Sequence, residues 1–232
     1  MSIFKSCRIK KIIRSTFTYF LFFYSTIFQY LAIVLFKLDI NKLHGNYKVA
    51  VLLSTFSSFC VFIILFLLYR KDLVSEFRKF KKDLIINLDT GLACWFLGLI
   101  IMVCMNLLLV YVFKSNGATN ENEVQKLISA FPLVMALDVC LLAPFNEEIV
   151  FRKAIYDVFK NKYIFIILSF LIFGGAHVLG SAKTLVDYLY IIPYGALGGM
   201  FAIAYSKTDT VFTSMTFHIF HNTILFLISV FI

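Results

Sequence analysis

Residues 90–113 read TGLACWFLGLIIMVCMNLLLVYVF, 24 consecutive positions without a charged side chain. A helix of that length rises about 36 Å at 1.5 Å per residue, enough to cross about 30 Å of bilayer hydrocarbon. The rest of the chain has the same character: of 232 residues 61% are hydrophobic and only 15% charged, and 28 are Phe, 12 Tyr and one Trp. Soluble domains run nearer half apolar and a quarter charged. The polar surface left over is too small to cover so much apolar side chain, which excludes a water-soluble monomer and a disordered tail.

Working outward, residues 49–69 and 15–36 form similar uncharged runs. The second of these follows Lys5, Arg8, Lys10, Lys11 and Arg14. That basic start resembles a signal peptide, but the apolar run is longer than a signal core and STIFQYLAIVLF offers no small-residue cleavage site, so a retained first span is expected. Beyond residue 113 the apolar runs carry ionisable groups. Residues 131–145 contain Asp138 and run into NEEIVFRKAIYDVFK, 163–182 contain His177, 187–205 contain Pro193, and 211–232 contain His218 and His221. The expected fold is all-α, a polytopic transmembrane helix bundle of about seven spans. Residues 1–130 supply three spans and an outer loop, and residues 131–232 the remainder. RKDLVSEFRKFKKD, residues 70–83, reads as a short helix in the headgroup layer, and 114–130 as a polar loop.

With the N-terminus inside, the inner segments carry 16 Lys or Arg and the outer ones 6, a bias that favours a cytoplasmic N-terminus and an outer C-terminus. The net charge of +9 sits between apolar runs, so it suits anionic lipid headgroups and not nucleic acid. Cys7, Cys60, Cys94, Cys104 and Cys140 show no metal-ligand spacing and read as packing thiols.

Ionisable residues in apolar segments are costly and therefore functional candidates. Three of the four histidines lie in the last three apolar runs, and the one adjacent acidic pair, Glu147–Glu148, follows LLAPF. Glu148 and Arg152 are four apart on one helix face, as are Phe173 and His177, and His218 and Asn222. Counted from the turns at 160–162 and 207–209, these groups reach a similar depth, which predicts one cavity opening towards the cytoplasm. A carboxylate beside a histidine there can deprotonate water, while an imidazole and an Asn amide donate to an oxyanion. The same Glu and His set is also a candidate for a divalent metal such as Zn, with Glu148, His177 and His218 as ligands. HExxH is absent, and the spacing leaves both mechanisms open. Asp138, Asn106 and His221 are neighbours of this set without a defined role, and the glycines at 174–175 and 195–199 read as close-packing positions.

Taken together, NEEIVFR matches EExxxR, FGGAH matches FxxxH and HIFHN matches HxxxN, in an order and apolar setting that resemble the CAAX protease and bacteriocin-processing family, also called Abi proteins. The resemblance covers residues 131–222 and makes the second half the family's helical catalytic core. It implies an intramembrane endopeptidase with Glu147, Glu148, Arg152, His177, His218 and Asn222 as the catalytic set, one carboxylate activating water and Arg152 its ion-pair partner. It implies a membrane-associated peptide substrate, either a prenylated protein or a small secreted peptide. The small size and Lys-rich composition favour a bacterial plasma-membrane protein in peptide or bacteriocin processing or self-immunity. A non-catalytic immunity or chaperone protein that binds a peptide is the alternative, and a proton-coupled transporter a third.

Overall fold

The computed structural model describes residues 2–39, 45–115 and 117–231, with side chains from residue 8 onward, so the reading of Cys7 lies outside the described side chains. Every regular element among these residues is helical. Helix α1 (Ser2–Phe23) and α2 (Thr26–Leu35) form a pair bent by 58°. They are followed by α3 (Tyr47–Lys82), α4 (Leu84–Tyr111) and α5 (Thr119–Ala130). A composite helix α6 covers residues 132–158, and α7 (Lys162–Val178), α8 (Ile191–Thr208) and α9 (Val211–Phe231) complete the bundle.

The expected headgroup helix at 70–83 is instead the last third of α3. Val61, Leu65, Tyr69, Leu73, Glu76 and Phe80 form an unbroken buried stripe at three- and four-residue intervals, and an inward face of that kind holds the helix straight past Arg70. Lys79, Lys81 and Lys82 in its last turn complement the negative end of the helix dipole. The expected polar loop at 114–130 likewise contains α5, whose Val124, Leu127 and Ile128 pack against Val51, Met135 and Phe226.

Among the described residues four helices are long and apolar enough to cross a membrane, the bent α1–α2 pair counting as a fifth, which makes this an integral membrane protein. The expectation of about seven differs at α6 and α7. Helix α6 carries five charged side chains between Glu147 and Asp157, and α7 is 17 residues long.

Helix α6 is not uniform. Two π-helical segments, Asp138–Leu142 and Ile149–Ala154, flank the short α-helical turn Ala143–Glu148 that carries the acidic pair. Such wide turns redirect side chains and free backbone carbonyls, and they recur at functional sites. Helices α7 and α8 pack very closely. A Cβ on Gly174 would lie 2.5 Å from the Ile191 carbonyl oxygen, and one on Gly195 would lie 2.9 Å from that of Phe170, so the expected close-packing role of these glycines holds. Asp209 links α8 to α9 in a left-handed conformation, φ 51°, that Asp tolerates better than most residues.

At the end of the bundle where α3 stops and α9 begins, charges are paired. Arg14 binds Asp157 and Asp72, and Lys153 lies 3.0 Å from both Glu76 and Asp157. Glu76 also accepts the Val211 N–H at 2.8 Å and the Tyr205 hydroxyl at 3.2 Å, so α3 caps the start of α9. Lys79 and Asp209 pair on the surface beside it.

Candidate active site

Helix α6 brings the acidic pair to the middle of the bundle, and the two carboxylates face different surroundings. Glu148 is fully buried, with Oε1 3.3 Å from Arg152 Nη1, as the i, i+4 spacing predicts. The same oxygen lies 2.8 Å from His218 Nδ1 on α9. Glu147 keeps 15% of its side chain exposed and lines a cavity, its Oε2 3.6 Å from His218 Nε2. His218 thus stands between the two carboxylates, one dry and one wet.

Arg152 is wholly buried and enclosed by acceptor and aromatic groups, although its Nε and Nη1 make no hydrogen bond. It donates from Nη2 to the Gly198 carbonyl at 3.3 Å, and its guanidinium lies 4.5 Å from the Phe173 ring centre and 5.5 Å from that of Phe201. Each of these is a favourable contact for a desolvated cation. Phe173, read from the sequence only as a neighbour of His177, therefore also seats the arginine, and its ring meets those of His177 and His218.

His177 and Asn222 line the same cavity without joining the Glu148 cluster directly. His177 Nδ1 is 2.9 Å from the Phe173 carbonyl and its ring stacks on Tyr194. A carbonyl only accepts, so Nδ1 carries the proton and Nε2 of the neutral ring is left as an acceptor. Asn222 donates at 3.0 Å to the carbonyl of Val139, a residue of the first π-helical segment. His221 accepts at Nδ1 from Trp95 Nε1 at 3.4 Å and also lines the cavity, as does Asn106. Asp138 is buried within α6 and is not among the lining residues.

The cavity measures about 690 Å³, within the range of small-molecule and peptide pockets. Its floor is formed by Glu147, Phe151 and His218, and it continues between α4, α8 and α9 to Glu121 and Val124 of α5. Tyr194 and the α5 wall are the parts of the site that spacing alone missed. Val124, Leu127 and Ile128, at helical intervals within a polar stretch, were the available signal.

As metal ligands the candidates do not fit in this arrangement. His218 directs Nδ1 to Glu148 and Nε2 towards Glu147, and His177 is bound to a backbone carbonyl. Among the described residues no three His, Cys, Asp or Glu side chains converge on one point. What the arrangement does provide is an ion pair fixing a histidine beside a cavity-facing carboxylate, with an amide and a further imidazole nearby. That combination suits proton transfer and oxyanion stabilisation.

Comparison with known proteins agrees with the motifs. Residues 129–224 match the family model described as type II CAAX prenyl endopeptidase Rce1-like. The chain is 26% identical over 190 residues to "Putative membrane peptidase YdiL" of Bacillus subtilis, covering 80% of this chain and 72% of that protein. An uncharacterized protein of Mycoplasma capricolum is 32% identical over 130 residues, 50% of this chain and 36% of its own. The UPF0177 protein YaiH of Lactococcus lactis is 28% identical over 120 residues, 52% of this chain and 48% of its own. No solved structure matches the chain. The stretch 129–224, which holds the acidic pair, the three cavity histidines and Asn222, is similar to the CAAX-type membrane protease family, and the motifs and the membrane peptidase relative agree with that.

Proposed function

We propose that the protein is an intramembrane endopeptidase of a bacterial plasma membrane, with a cytoplasmic N-terminus, that hydrolyses a membrane-associated peptide in peptide processing or self-immunity. The observation that carries this reading is the chain Arg152–Glu148–His218–Glu147, in which a wholly buried ion pair orients one imidazole against the one carboxylate of the set that faces the cavity.

In this reading Glu147 is the general base. It takes a proton from a water molecule, and the resulting hydroxide adds to the carbonyl carbon of the scissile bond. The negative charge moves to the carbonyl oxygen, where the second amide N–H of Asn222 donates to it. When the tetrahedral intermediate collapses, the C–N bond breaks and Glu147 returns its proton to the departing amine. Glu148 keeps its charge throughout and accepts the Nδ1–H of His218, which leaves Nε2 as an acceptor that, with Glu147, holds the attacking water, and Arg152 compensates the charge of Glu148. His177 presents an acceptor nitrogen on the opposite wall that helps orient the water.

The test compares, by mass spectrometry, peptides from membranes and medium of cells expressing the intact protein, Glu147→Gln or Glu148→Gln at matched levels. Peptide ends that occur only with the intact protein support the reading and identify the substrate. Peptide sets that do not change, together with a retained host phenotype, overturn it in favour of a non-catalytic immunity or chaperone role. A parallel incubation with a chelator reads the metal requirement: loss of cleavage restored by Zn assigns a metal-dependent reaction.

A further inference from the structure

Helix α9 carries a polar residue that the proposed reaction does not use. His221 is buried, lines the cavity and lies one residue before Asn222. Its Nδ1 is 3.4 Å from Trp95 Nε1 on α4. An indole N–H only donates, so Nδ1 is the accepting nitrogen and the proton of the neutral ring sits on Nε2. Trp95 is itself fixed, with its ring centre 5.1 Å from that of Phe220 and 6.5 Å from that of Phe217, both on α9. Gly91, one turn earlier on α4, makes room for this contact, since a Cβ there would lie 2.4 Å from the Phe217 ring. The tautomer of His221 is thus set by the packing of α4 on α9.

That packing leaves a directed donor. Among the described residues no protein group bonds His221 Nε2, and the sealed polar atoms without a partner include Glu148 Oε2 and Asn146 Oδ1 but not this nitrogen. Its N–H therefore reaches the open space of the cavity that the ring lines. Around it Glu147, Glu121 and the free nitrogen of His177 offer acceptors, so the His221 N–H answers a different need. It takes an acceptor from the occupant, and the acceptor that every residue of a peptide carries is its main-chain carbonyl.

Position on the helix separates His221 from Asn222. Adjacent residues of an α-helix point about 100° apart. Asn222 accordingly reaches α6, where it donates to the Val139 carbonyl, and His221 reaches α4. In an extended peptide successive residues face alternate sides at a rise of about 3.3 Å, which suits two donors splayed in this way. We propose that His221, held by Trp95 as the Nε2–H tautomer, is a substrate-binding residue that donates to the main-chain carbonyl next to the scissile one and so fixes the register of the bound peptide. The peptide contact rests on the protease reading, while the tautomer rests on the Trp95 contact alone.

The experiment has two arms. In the first, the detergent-solubilised protein is labelled with 15N-histidine, and the signals of His221 among the four histidines are those that vanish in His221→Gln. A neutral ring protonated at Nε2 is expected, with the Nδ1 signal moving in Trp95→Phe as its hydrogen bond is lost. A ring protonated at Nδ1, or a charged ring, overturns the proposal, and this arm needs no variant of His221 to be active. The second arm uses a synthetic peptide spanning a Glu147-dependent cleavage site. His221→Phe keeps a ring and removes the donor, so KM should rise about 3–10-fold with kcat within about twofold, the loss of one neutral hydrogen bond. His221→Gln places an amide N–H near the Nε2 position and should bring KM back towards the parent. An unchanged KM in His221→Phe, a loss confined to kcat, or a Gln variant no better than Phe overturns the proposal and leaves the protease reading standing. Peptide sets insensitive to Glu147→Gln overturn the protease reading, and the peptide contact with it, whatever tautomer His221 shows.

Discussion

Replacing Glu148 with Gln should cost stability and activity through one physical cause, and the two losses can be separated. Arg152 is fully buried, with Glu148 Oε1 at 3.3 Å, the Gly198 carbonyl at 3.3 Å and two aromatic faces around it. Removing one partner of a buried ion pair costs about 3–5 kcal/mol, because the other charge is left without a counterion. The rings and the carbonyl still solvate the guanidinium, and Glu147 is one residue away, so a loss of about 3 kcal/mol is expected. For a chain of this size that lowers the melting temperature by about 6–12 °C. The fluorescence of the single Trp, Trp95, which lies against Phe217, Phe220 and His221, reports unfolding of the detergent-solubilised protein directly. The double variant Glu148→Gln/Arg152→Met removes both charges and should regain most of the lost stability, since neutral replacement of a buried pair is often harmless. Neither variant should cleave, because His218 has lost the carboxylate that orients it. An unchanged melting temperature for Glu148→Gln, or a double variant no more stable than the single one, would refute this account of the pair.

Glu147→Gln should melt within about 1 °C of the parent, since the carboxylate is partly exposed and has no cation within hydrogen-bond reach, yet abolish Glu147-dependent peptide ends. Asn222→Ala removes a proposed oxyanion donor and should lower the cleavage rate about 10²–10³-fold with substrate binding little changed, as read by single-turnover kinetics. Gly195→Ala pushes a Cβ against the Phe170 carbonyl and should cost about 1–3 kcal/mol in thermal unfolding, while Gly180→Ala, with open space around it, should not. Glu76→Ala takes the cap from α9 and one of two close carboxylates from Lys153, so it should destabilise by about 2 kcal/mol in the same assay.

The core of the site was legible because its geometry is local. Glu148 and Arg152 pair across one helical turn, and a histidine in an apolar run needs a partner, which His218 finds in Glu148. Depth counting also brought His177 and Asn222 to the right level, and both line the cavity. It did not reveal how far the cavity runs along α4, α8 and α9, because that depends on which half of each helix stays uncovered. The π-helical segments around the acidic pair leave no mark in apolar periodicity, since they arise from how α6 packs against its neighbours. The extent of α3 and the presence of α5 were missed for a related reason. Both are polar on one side, and only the partners of Tyr69, Leu73 and Ile128 distinguish a packed helix from a headgroup helix or a loop. The different surroundings of Glu147 and Glu148 were equally invisible, as adjacent residues of the same type cannot be told apart in the sequence.

The contact between Glu76 and the start of α9 joins positions 135 residues apart. A ribosome therefore releases the carboxylate, and with it α3, long before its backbone partner has been made, and Lys153 emerges between the two. Until the hairpin of α8 and α9 arrives, Glu76 has only part of its bonding and the α9 side of the site does not exist. The bundle can thus be locked only once α9 has been made, and the two carboxylates acquire their histidine in that same event. A chain interrupted before residue 211 would leave the membrane with inserted helices and an unfinished, chemically inert cavity. Assembly order itself keeps the candidate site from forming before α9 is in place.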